Sequence, residues 1–193
     1  MNNNGNFWND AARYGAVIGA LLSVSTLVEN WLSLSGNLKS FMWLSLEFVL
    51  VFVLHYWLLH SFTRRRSQLY SAEEGFTFGQ GYTFLLAVSA FAGAIVGAVQ
   101  ALYIHVVLGY ETYLDRYFAS VTEVMNSLGG MDAATENAFA QLMEQLRSAV
   151  APSIVSTWLG GIWSGVLFGA VFGLIIAGVL ARQPKPFETT DHE

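Results

Sequence analysis

The chain has 193 residues, of which 54% are hydrophobic and only 12% are charged, and its mean hydropathy is +0.45. Soluble domains carry about 25% charged residues, so this composition excludes most soluble folds and a disordered tail, while a net charge of −5 excludes a basic nucleic-acid binder. The lack of cysteine removes disulfides, thiol catalysis and thiolate metal sites. We therefore expect an integral membrane protein of one domain, residues 1–193.

Four apolar runs are each long enough to cross a hydrocarbon layer roughly 30 Å thick as a helix, which takes about 20 residues. They cover residues 14–35, 41–62, 82–108 and 154–181. None alternates apolar and polar residues as barrel strands do, so we predict an all-α integral membrane protein with four transmembrane helices. The start of the chain is rich in Asn and lacks the basic cluster of a cleaved signal, and we expect the first helix to be retained.

Basic residues predict the orientation, because cytoplasmic loops are enriched in Lys and Arg. An even number of spans places both termini on one side. Six basic residues flank that side, namely Arg13, Arg64, Arg65, Arg66, Arg182 and Lys185, and three flank the other, namely Lys39, Arg116 and Arg147. We expect a multi-pass protein of the bacterial inner (cytoplasmic) membrane, in contact with the lipid bilayer and with both termini in the cytoplasm.

Residues 110–153, between the third and fourth runs, form a hydrophilic stretch with six acids and two arginines. Apolar residues recur in it at helical spacing on both sides of Gly129 and Gly130, and Asp132 is a candidate N-cap. The two stripes are Leu114, Tyr117, Phe118, Val121, Met125 and Leu128, then Phe139, Leu142, Met143, Leu146 and Val150. We predict an extramembrane helical hairpin on the outer side. Its stripes either pack on each other, which we favour, or offer an apolar groove to a protein partner or the outer leaflet.

Small residues recur every fourth position in three of the runs, which lets helix backbones approach closely in a membrane. The glycines of this glycine-zipper pattern are Gly15 and Gly19, Gly93 and Gly97, and Gly161, Gly165, Gly169 and Gly173. Packing within one bundle is the favoured explanation, and a seam between copies in a homo-oligomer is the alternative.

Polar side chains inside the apolar runs form one candidate site. Glu29, Glu47, Gln100 and His105 all fall in the outer half of the bilayer, the two acids roughly 6–8 Å from its centre at 1.5 Å per residue. Facing lipid would be costly, so we expect the four to face inward and meet, with at least one acid protonated at neutral pH. The alternatives are a site that binds a proton or cation and a hydrogen-bond network that only sets helix register.

The histidines of the second run do not indicate a metal site. His55 and His60 are five residues apart, about 140° around a helix, whereas a two-histidine metal face needs a spacing of four. We expect His55 to bond a neighbouring backbone group or serine. Nucleotide-binding, zinc-protease and serine-hydrolase motifs are missing. We therefore assign no catalytic residue, metal or cofactor, and we do not expect an enzyme.

The stretch GFTFGQGYTF, from Gly75 to Phe84, leads into the third run. Its centre, Phe78, Gly79 and Gln80, resembles the signature of a bacterial membrane protein family, domain of unknown function 4199. The order of features is also similar: four spans, this motif at the start of the third, and a long hydrophilic stretch before the fourth. The resemblance covers about residues 7–180 and implies the architecture without implying an activity. Gly79 and Gly81 permit a close chain approach or a positive φ, and Gln80 can bond amides that are free at the helix start. We therefore expect the motif to start the third helix.

Two functions are consistent with these features, and they differ in class. The first hypothesis is a binding protein, an accessory or assembly subunit that uses the acidic hairpin or the glycine faces. The second is a small proton- or cation-linked transporter or channel whose path contains Glu29 and Glu47. An intramembrane enzyme is a weaker third, because no nucleophile, base or metal set can be named.

Overall fold

The computed structural model describes residues 7–183, so Lys185, which enters the orientation argument, lies outside the described residues, as do both chain ends. Within that range the chain is helical: α1 Phe7–Ser33, α2 Leu38–Ser67, α3 Phe78–Leu102, α4 Tyr110–Ser127, α5 Ala133–Ser148 and α6 Ile154–Leu180. A π-helical segment, Tyr103–Leu108, continues α3. Four helices, α1, α2, α3 with its continuation and α6, are long and apolar enough to span a membrane. The prediction of an all-α fold is confirmed for residues 7–183, with four helices that are candidate membrane spans.

Helix ends extend beyond the apolar runs where a cap or a polar turn continues the helix. Thus α1 begins at Phe7 and α3 begins at Phe78, ahead of the predicted residues 14 and 82. The predicted run marks only the part of each helix that fits the hydrocarbon layer. Capping side chains set the actual starts: the amide of Ser40 donates to Asn37 Oδ1 at 2.8 Å just before α2.

The bundle is built around α3, which packs closely against α6 and α1, while α2 is held more loosely. The buried core includes Ile18, Leu59, Phe84, Leu85 and Ile176. All buried side chains of α2 lie from His55 onward. One half of the bundle is therefore tightly packed, whereas in the other half α2 leaves space beside its neighbours.

Glycines form the contact between α3 and α6. A Cβ built on Gly93 would lie 2.6 Å from the carbonyl oxygen of Gly161, and one on Gly97 would lie 2.5 Å from that of Trp158. A Cβ on Gly165 would lie 2.5 Å from the carbonyl oxygen of Ser89. Since real Cβ atoms cannot approach backbone that closely, only glycine permits this pairing. We call Gly93, Gly97, Gly161 and Gly165 the glycine seam.

The other predicted packing glycines also face helices of the same chain. A Cβ on Gly15 would meet the carbonyl oxygen of Val88 at 2.7 Å, and one on Gly19 that of Ala92 at 3.0 Å. On α6, Gly169 lies against Ser89 and Gly173 against the ring of Tyr82. These faces are thus occupied inside the bundle, which supports the intramolecular explanation over a seam between copies.

A buried ion pair closes the tightly packed end of the bundle, here called the Arg66 end. Arg66 Nη1 lies 2.6 Å from Asp10 Oδ2, and the Arg66 side chain is only 2% exposed. Its guanidinium also lies over the rings of Phe7 and Phe84. Arg66 is therefore a packed part of the fold and not a freely solvated loop arginine.

Backbone pairing brings four helix ends together at the Arg66 end. Phe76 and Arg182 exchange two hydrogen bonds, of 3.0 and 2.7 Å, which joins the α2–α3 loop to the end of α6. With the contact between Asp10 and Arg66, this places the start of α1, the end of α2, the start of α3 and the end of α6 on one side of the bundle.

Helix α4 docks on the α1–α2 loop. Ser120 Oγ donates to the carbonyl oxygen of Ser33 and accepts from the amide of Gly36 at 3.0 Å. Phe118 and Val124 of the same helix are buried. Helix α4 is thereby fixed to the bundle.

Helix α5 has no buried residue. It meets α4 through the rings of Phe118 and Phe139, whose centroids are 5.9 Å apart, and through Arg147 and Asp115 at 2.7 Å. The apolar residues after Phe139 keep exposed surface: Leu142 is 48% exposed, Leu146 38% and Val150 96%. The favoured interpretation, two stripes that bury each other, therefore does not hold for Leu142, Leu146 and Val150, which the contacts between α4 and α5 leave exposed.

A titratable cap begins α5. The amide of Thr135 donates to Asp132 Oδ1 at 2.7 Å, and this bond is the main reason why the pKa of Asp132 lies below its usual value. A lowered pKa means that the carboxylate stabilises the helix start fully above the ordinary pKa of aspartate, about 3.9, and that this stabilisation is lost as the pH falls through the lowered value. We expect the Thr135 amide resonance to titrate below about pH 4.

Two substitutions at Asp132 separate the cap from its charge. Asp132→Asn keeps a side-chain oxygen that caps helices well, so α5 should persist while the titration of Thr135 disappears. Asp132→Ala should fray the first turn at every pH. Amide NMR shifts measured from pH 6 to 2.5 check both, and an unchanged titration in Asp132→Asn would refute the assignment.

Candidate functional site

A cavity of about 620 Å³ lies between α1, α2, α3 and α6, in the half of the bundle away from the Arg66 end. Its polar wall residues include Ser25, Glu29, His55, Ser89, Gln100 and Thr157. Three phenylalanines, Phe48, Phe52 and Phe168, supply aromatic surface. The space exists because α2 is loosely packed here and because the facing stretch of α6 carries glycine at Gly160, Gly161 and Gly165, where no side chain fills it.

Glu29 and Glu47 come together at the edge of this cavity. Glu29 lines the cavity, its carboxyl group lies close enough to that of Glu47 for the two to interact, and Ser25 Oγ donates to Glu47 Oε1. Glu47 Oε2 is buried without a hydrogen-bond donor among the described groups. No Lys or Arg in residues 7–183 forms an ion pair with either acid. Two ionised carboxylates in contact repel strongly away from water, so the pair is stable only when it shares a proton or binds a cation.

Gln100 lines the same cavity as Glu29 and binds a residue that the sequence analysis missed. Its Oε1 accepts from Asn30 Nδ2 at 2.9 Å, and Asn30 is buried, with 5% exposure. The same Asn30 nitrogen also donates to the carbonyl oxygen of Thr26 at 2.8 Å. The available signal was an amide side chain directly after Glu29 inside an apolar run, which has a strong reason to seek a partner on another helix.

His105 does not join the acids, which corrects the expectation that all four polar residues meet. It lies in the π-helical segment, and its Nε2 is 2.8 Å from Thr157 Oγ1 of α6. Its ring stacks on Tyr110, with centroids 5.8 Å apart. The predicted cluster therefore divides into an acid pair, an amide pair and a separate histidine–threonine contact.

His55 and Ser89 form a second polar part of the cavity wall, nearer the Arg66 end. His55 is 9% exposed and Ser89 1%, yet His55 Nε2 and Ser89 Oγ lack hydrogen-bond partners among the described residues. The expected bond from His55 to backbone or serine is therefore not made at Nε2. The ring of His55 lies against Phe172, with centroids 5.6 Å apart. The sequence signal for His55 was its position as an ionisable residue deep in the second run.

The motif Phe78, Gly79 and Gln80 lies outside the cavity and starts α3. The amide of Thr77 donates to Gln80 Oε1 at 2.8 Å, and the amide of Gln80 donates to Thr77 Oγ1 at 3.3 Å. This reciprocal capping box satisfies two amides that the helix leaves free, as expected for Gln80. Gly81 lies close to the ring of Phe76, whereas nothing in the structure requires glycine at Gly79, which has open space around it.

Similarity to a known protein family extends over most of the chain. A family model described as Protein of unknown function (DUF4199) matches residues 13–182, which is most of the chain. The chain belongs to the DUF4199 family. The matched range of this DUF4199 protein includes α1 from residue 13 onward, all of α2, α3 and α6, and every cavity residue named above. No curated protein and no solved structure matches the chain.

The groups that line the DUF4199 cavity determine the chemistry that it can perform. The acid pair can hold a proton or a positively charged group. Gln100, His55 and Ser89 can donate or accept hydrogen bonds, and the phenylalanine rings can pack on apolar groups or on a cation. Among residues 7–183 of this DUF4199 chain, no three His, Asp or Glu side chains are grouped to hold a metal ion.

Proposed function

We propose that this membrane protein is a small proton- or cation-linked transporter or channel whose binding site is the cavity beside Glu29 and Glu47. The observation that carries the proposal is that Glu29, which lines the cavity, lies close enough to Glu47 for their carboxyl groups to interact. A charged side chain near the centre of a bilayer costs about 3 kcal/mol or more, and intramembrane acids usually belong to an ion or substrate path. Two neighbouring acids, with no basic residue of the described range 7–183 paired to them, fit that role.

The packing of the bundle supports access from one side at a time. Beyond His55 the cavity is blocked by buried side chains, including Leu59, Leu85 and Ile176. A bound proton or cation therefore meets a closed core on the Arg66 side. We propose that the open side faces outward, that the Arg66 end is cytoplasmic in an inner membrane, and that movement of the loosely packed α2 relative to α1, α3 and α6 opens the second side.

Removing the acids tests the proposal. In liposomes that contain the purified protein, we expect Glu29→Gln and Glu47→Gln each to reduce proton or cation flux at least about tenfold, because a neutral amide neither holds the shared proton nor attracts a cation. Flux is measured with an internal pH-sensitive or ion-sensitive dye. Size-exclusion chromatography verifies that both variants fold.

Glu74→Gln is the matched control, since Glu74 is exposed in the α2–α3 loop and outside the candidate spans. It should leave flux unchanged. Equal flux in wild type, Glu29→Gln and Glu47→Gln would refute the transport proposal.

The accessory or assembly function is the second candidate, and the exposure of α5 favours it. A helix with no buried residue and an exposed apolar stripe offers surface to another protein. If the acid variants transport as wild type does, and a cross-linker placed on α5 captures a partner in native membranes, this function replaces the first.

A further inference from the structure

We propose that the cavity binds an amphipathic organic amine: its ammonium group lies between Glu29 and Glu47, its apolar body lies against the phenylalanines, and a distal hydroxyl reaches His55 and Ser89. This inference rests on the proposed function and names the substrate class of that site.

The size of the cavity favours an organic molecule over a bare ion. Its volume is about 620 Å³, within the roughly 300–1,000 Å³ typical of small-molecule sites. A metal cation such as Ca²⁺ would need about six or more oxygen ligands around one point. The wall instead spreads its polar groups along the cavity and separates them with Phe48, Phe52 and Phe168.

The acid end suits an ammonium group. Glu47 Oε2 is buried and lacks a donor among the described residues, and an ammonium group supplies three N–H donors. The cation can also lie near the face of a phenylalanine. When the ammonium ion enters, the proton shared by the two carboxyls leaves, so the net charge of the acid pair and its occupant stays at about −1. Exchange of one proton for one organic cation therefore leaves the net charge of the site unchanged.

The distal end supplies the specificity for a second polar group. His55 follows Glu47 by eight residues, which is roughly 12 Å along a helix. His55 Nε2 and Ser89 Oγ are both buried and unbonded within residues 7–183, a costly condition that a ligand relieves. A hydroxyl group both donates and accepts, so it satisfies either tautomer of the histidine.

The lateral openings of the cavity fit a ligand that enters from the membrane. Phe48 of α2 is 58% exposed and Phe168 of α6 is 44% exposed, although both line the cavity. The cavity therefore reaches the apolar surface of the bundle beside these rings. An amphipathic amine dissolves in that region of a bilayer, whereas a hydrated inorganic ion does not.

The acid pair is the group that releases a proton when the ammonium ion binds, because the other titratable residues near the cavity do not contact the ammonium group. Glu29 on α1 and His55 on α2 are the titratable residues of the cavity wall, Glu47 on α2 adjoins Glu29, His105 lies on the continuation of α3, and the described part of α6 contributes no titratable group. His105 is bonded to Thr157 and lies outside the cavity wall. The proton that an ammonium ion replaces is therefore the one between the two glutamates.

Three probes test the proposal on the full-length protein in lipid nanodiscs. Tyramine carries both the amine and the hydroxyl, phenethylamine lacks the hydroxyl, and tyrosol has a hydroxyl in place of the amine. By titration calorimetry at pH 7, we expect tyramine to bind at least about tenfold more tightly than tyrosol and about threefold to tenfold more tightly than phenethylamine. Buffers of different ionisation enthalpy should show about one proton released per amine bound.

Variants assign each end of the ligand. Glu29→Gln should weaken tyramine binding at least about tenfold without changing tyrosol binding, Ser89→Ala should weaken tyramine more than phenethylamine, and Glu74→Gln should change neither. The proposal is overturned if tyramine and tyrosol bind equally, or if Glu29→Gln binds tyramine as wild type does. Should that happen while Glu29→Gln still abolishes ion flux, the transport function stands and only the substrate class is wrong. Tyramine binding without any flux would instead refute transport and keep the amine site.

Discussion

Gly165→Leu is expected to destroy the folded bundle. A Cβ at this position would lie 2.5 Å from the carbonyl oxygen of Ser89 and 2.9 Å from Gly93 Cα, so both obstructing groups are backbone and no rotamer relieves the clash. Overpacking a core usually costs about 1–3 kcal/mol, and separating the two central helices should exceed that range. Thermal unfolding in detergent, monitored by tryptophan fluorescence, measures the loss.

Gly178→Leu is the matched control on the same helix. Gly178 has no neighbouring atom within 4 Å, so the added side chain projects from the bundle, and the stability should change by less than about 0.5 kcal/mol. If both variants melt alike, the glycine seam does not hold α3 to α6. If Gly165→Leu keeps a folded monomer and only dissociates an oligomer in blue-native electrophoresis, the seam joins two copies.

Asp10→Ala should destabilise the protein by about 3 kcal/mol or more, because it removes the carboxylate partner of a buried arginine. Arg66 is 2% exposed at its side chain, so its charge cannot simply move into water. Unfolding in a denaturing detergent series measures the change. Arg64→Gln is the control, since Arg64 is exposed on the same turn and should contribute little.

A second substitution distinguishes the lost ion pair from lost packing. Adding Arg66→Met to Asp10→Ala should recover part of the stability, because an apolar side chain of similar length removes the buried charge that Asp10 balanced. If Asp10→Ala is as stable as Arg64→Gln, the ion pair with Asp10 does not stabilise the buried Arg66.

Most of the fold could be predicted from hydropathy and capping patterns. The predicted fourth span, residues 154–181, ends within one residue of α6, because Ser153 caps its start and the apolar run coincides with the helix. The start of α1 was missed, since Asn9, Asp10 and Arg13 are polar although they are helical. Hydropathy identifies the part of a helix that suits the lipid layer, and the helix can continue beyond that part.

The acid pair was predictable from depth, whereas its surroundings were not. Glu29 and Glu47 lie at similar heights on antiparallel helices, and residue counting at 1.5 Å per residue finds that. His105 was misplaced because depth alone was considered: it follows Gln100 by five residues, about 140° around an α-helix, so the two side chains leave their helix in different directions. The position of His55 on the cavity wall depends on how α2 is rotated about its axis. The sequence does not reveal this rotation, because α2 is apolar on nearly all faces.

The closeness of the glycine seam has a consequence for how the protein is made. The α3 half of the seam is synthesised before the α6 half, and α4 and α5 lie between them in the chain. During membrane insertion the seam face of α3 therefore stays in contact with lipid or with the insertion machinery until α6 arrives. The hydroxyl of Ser89, which is buried in the finished bundle, is exposed on that face. Assembly is completed only when α6 enters the bilayer, so α6 acts as the closing step of biogenesis.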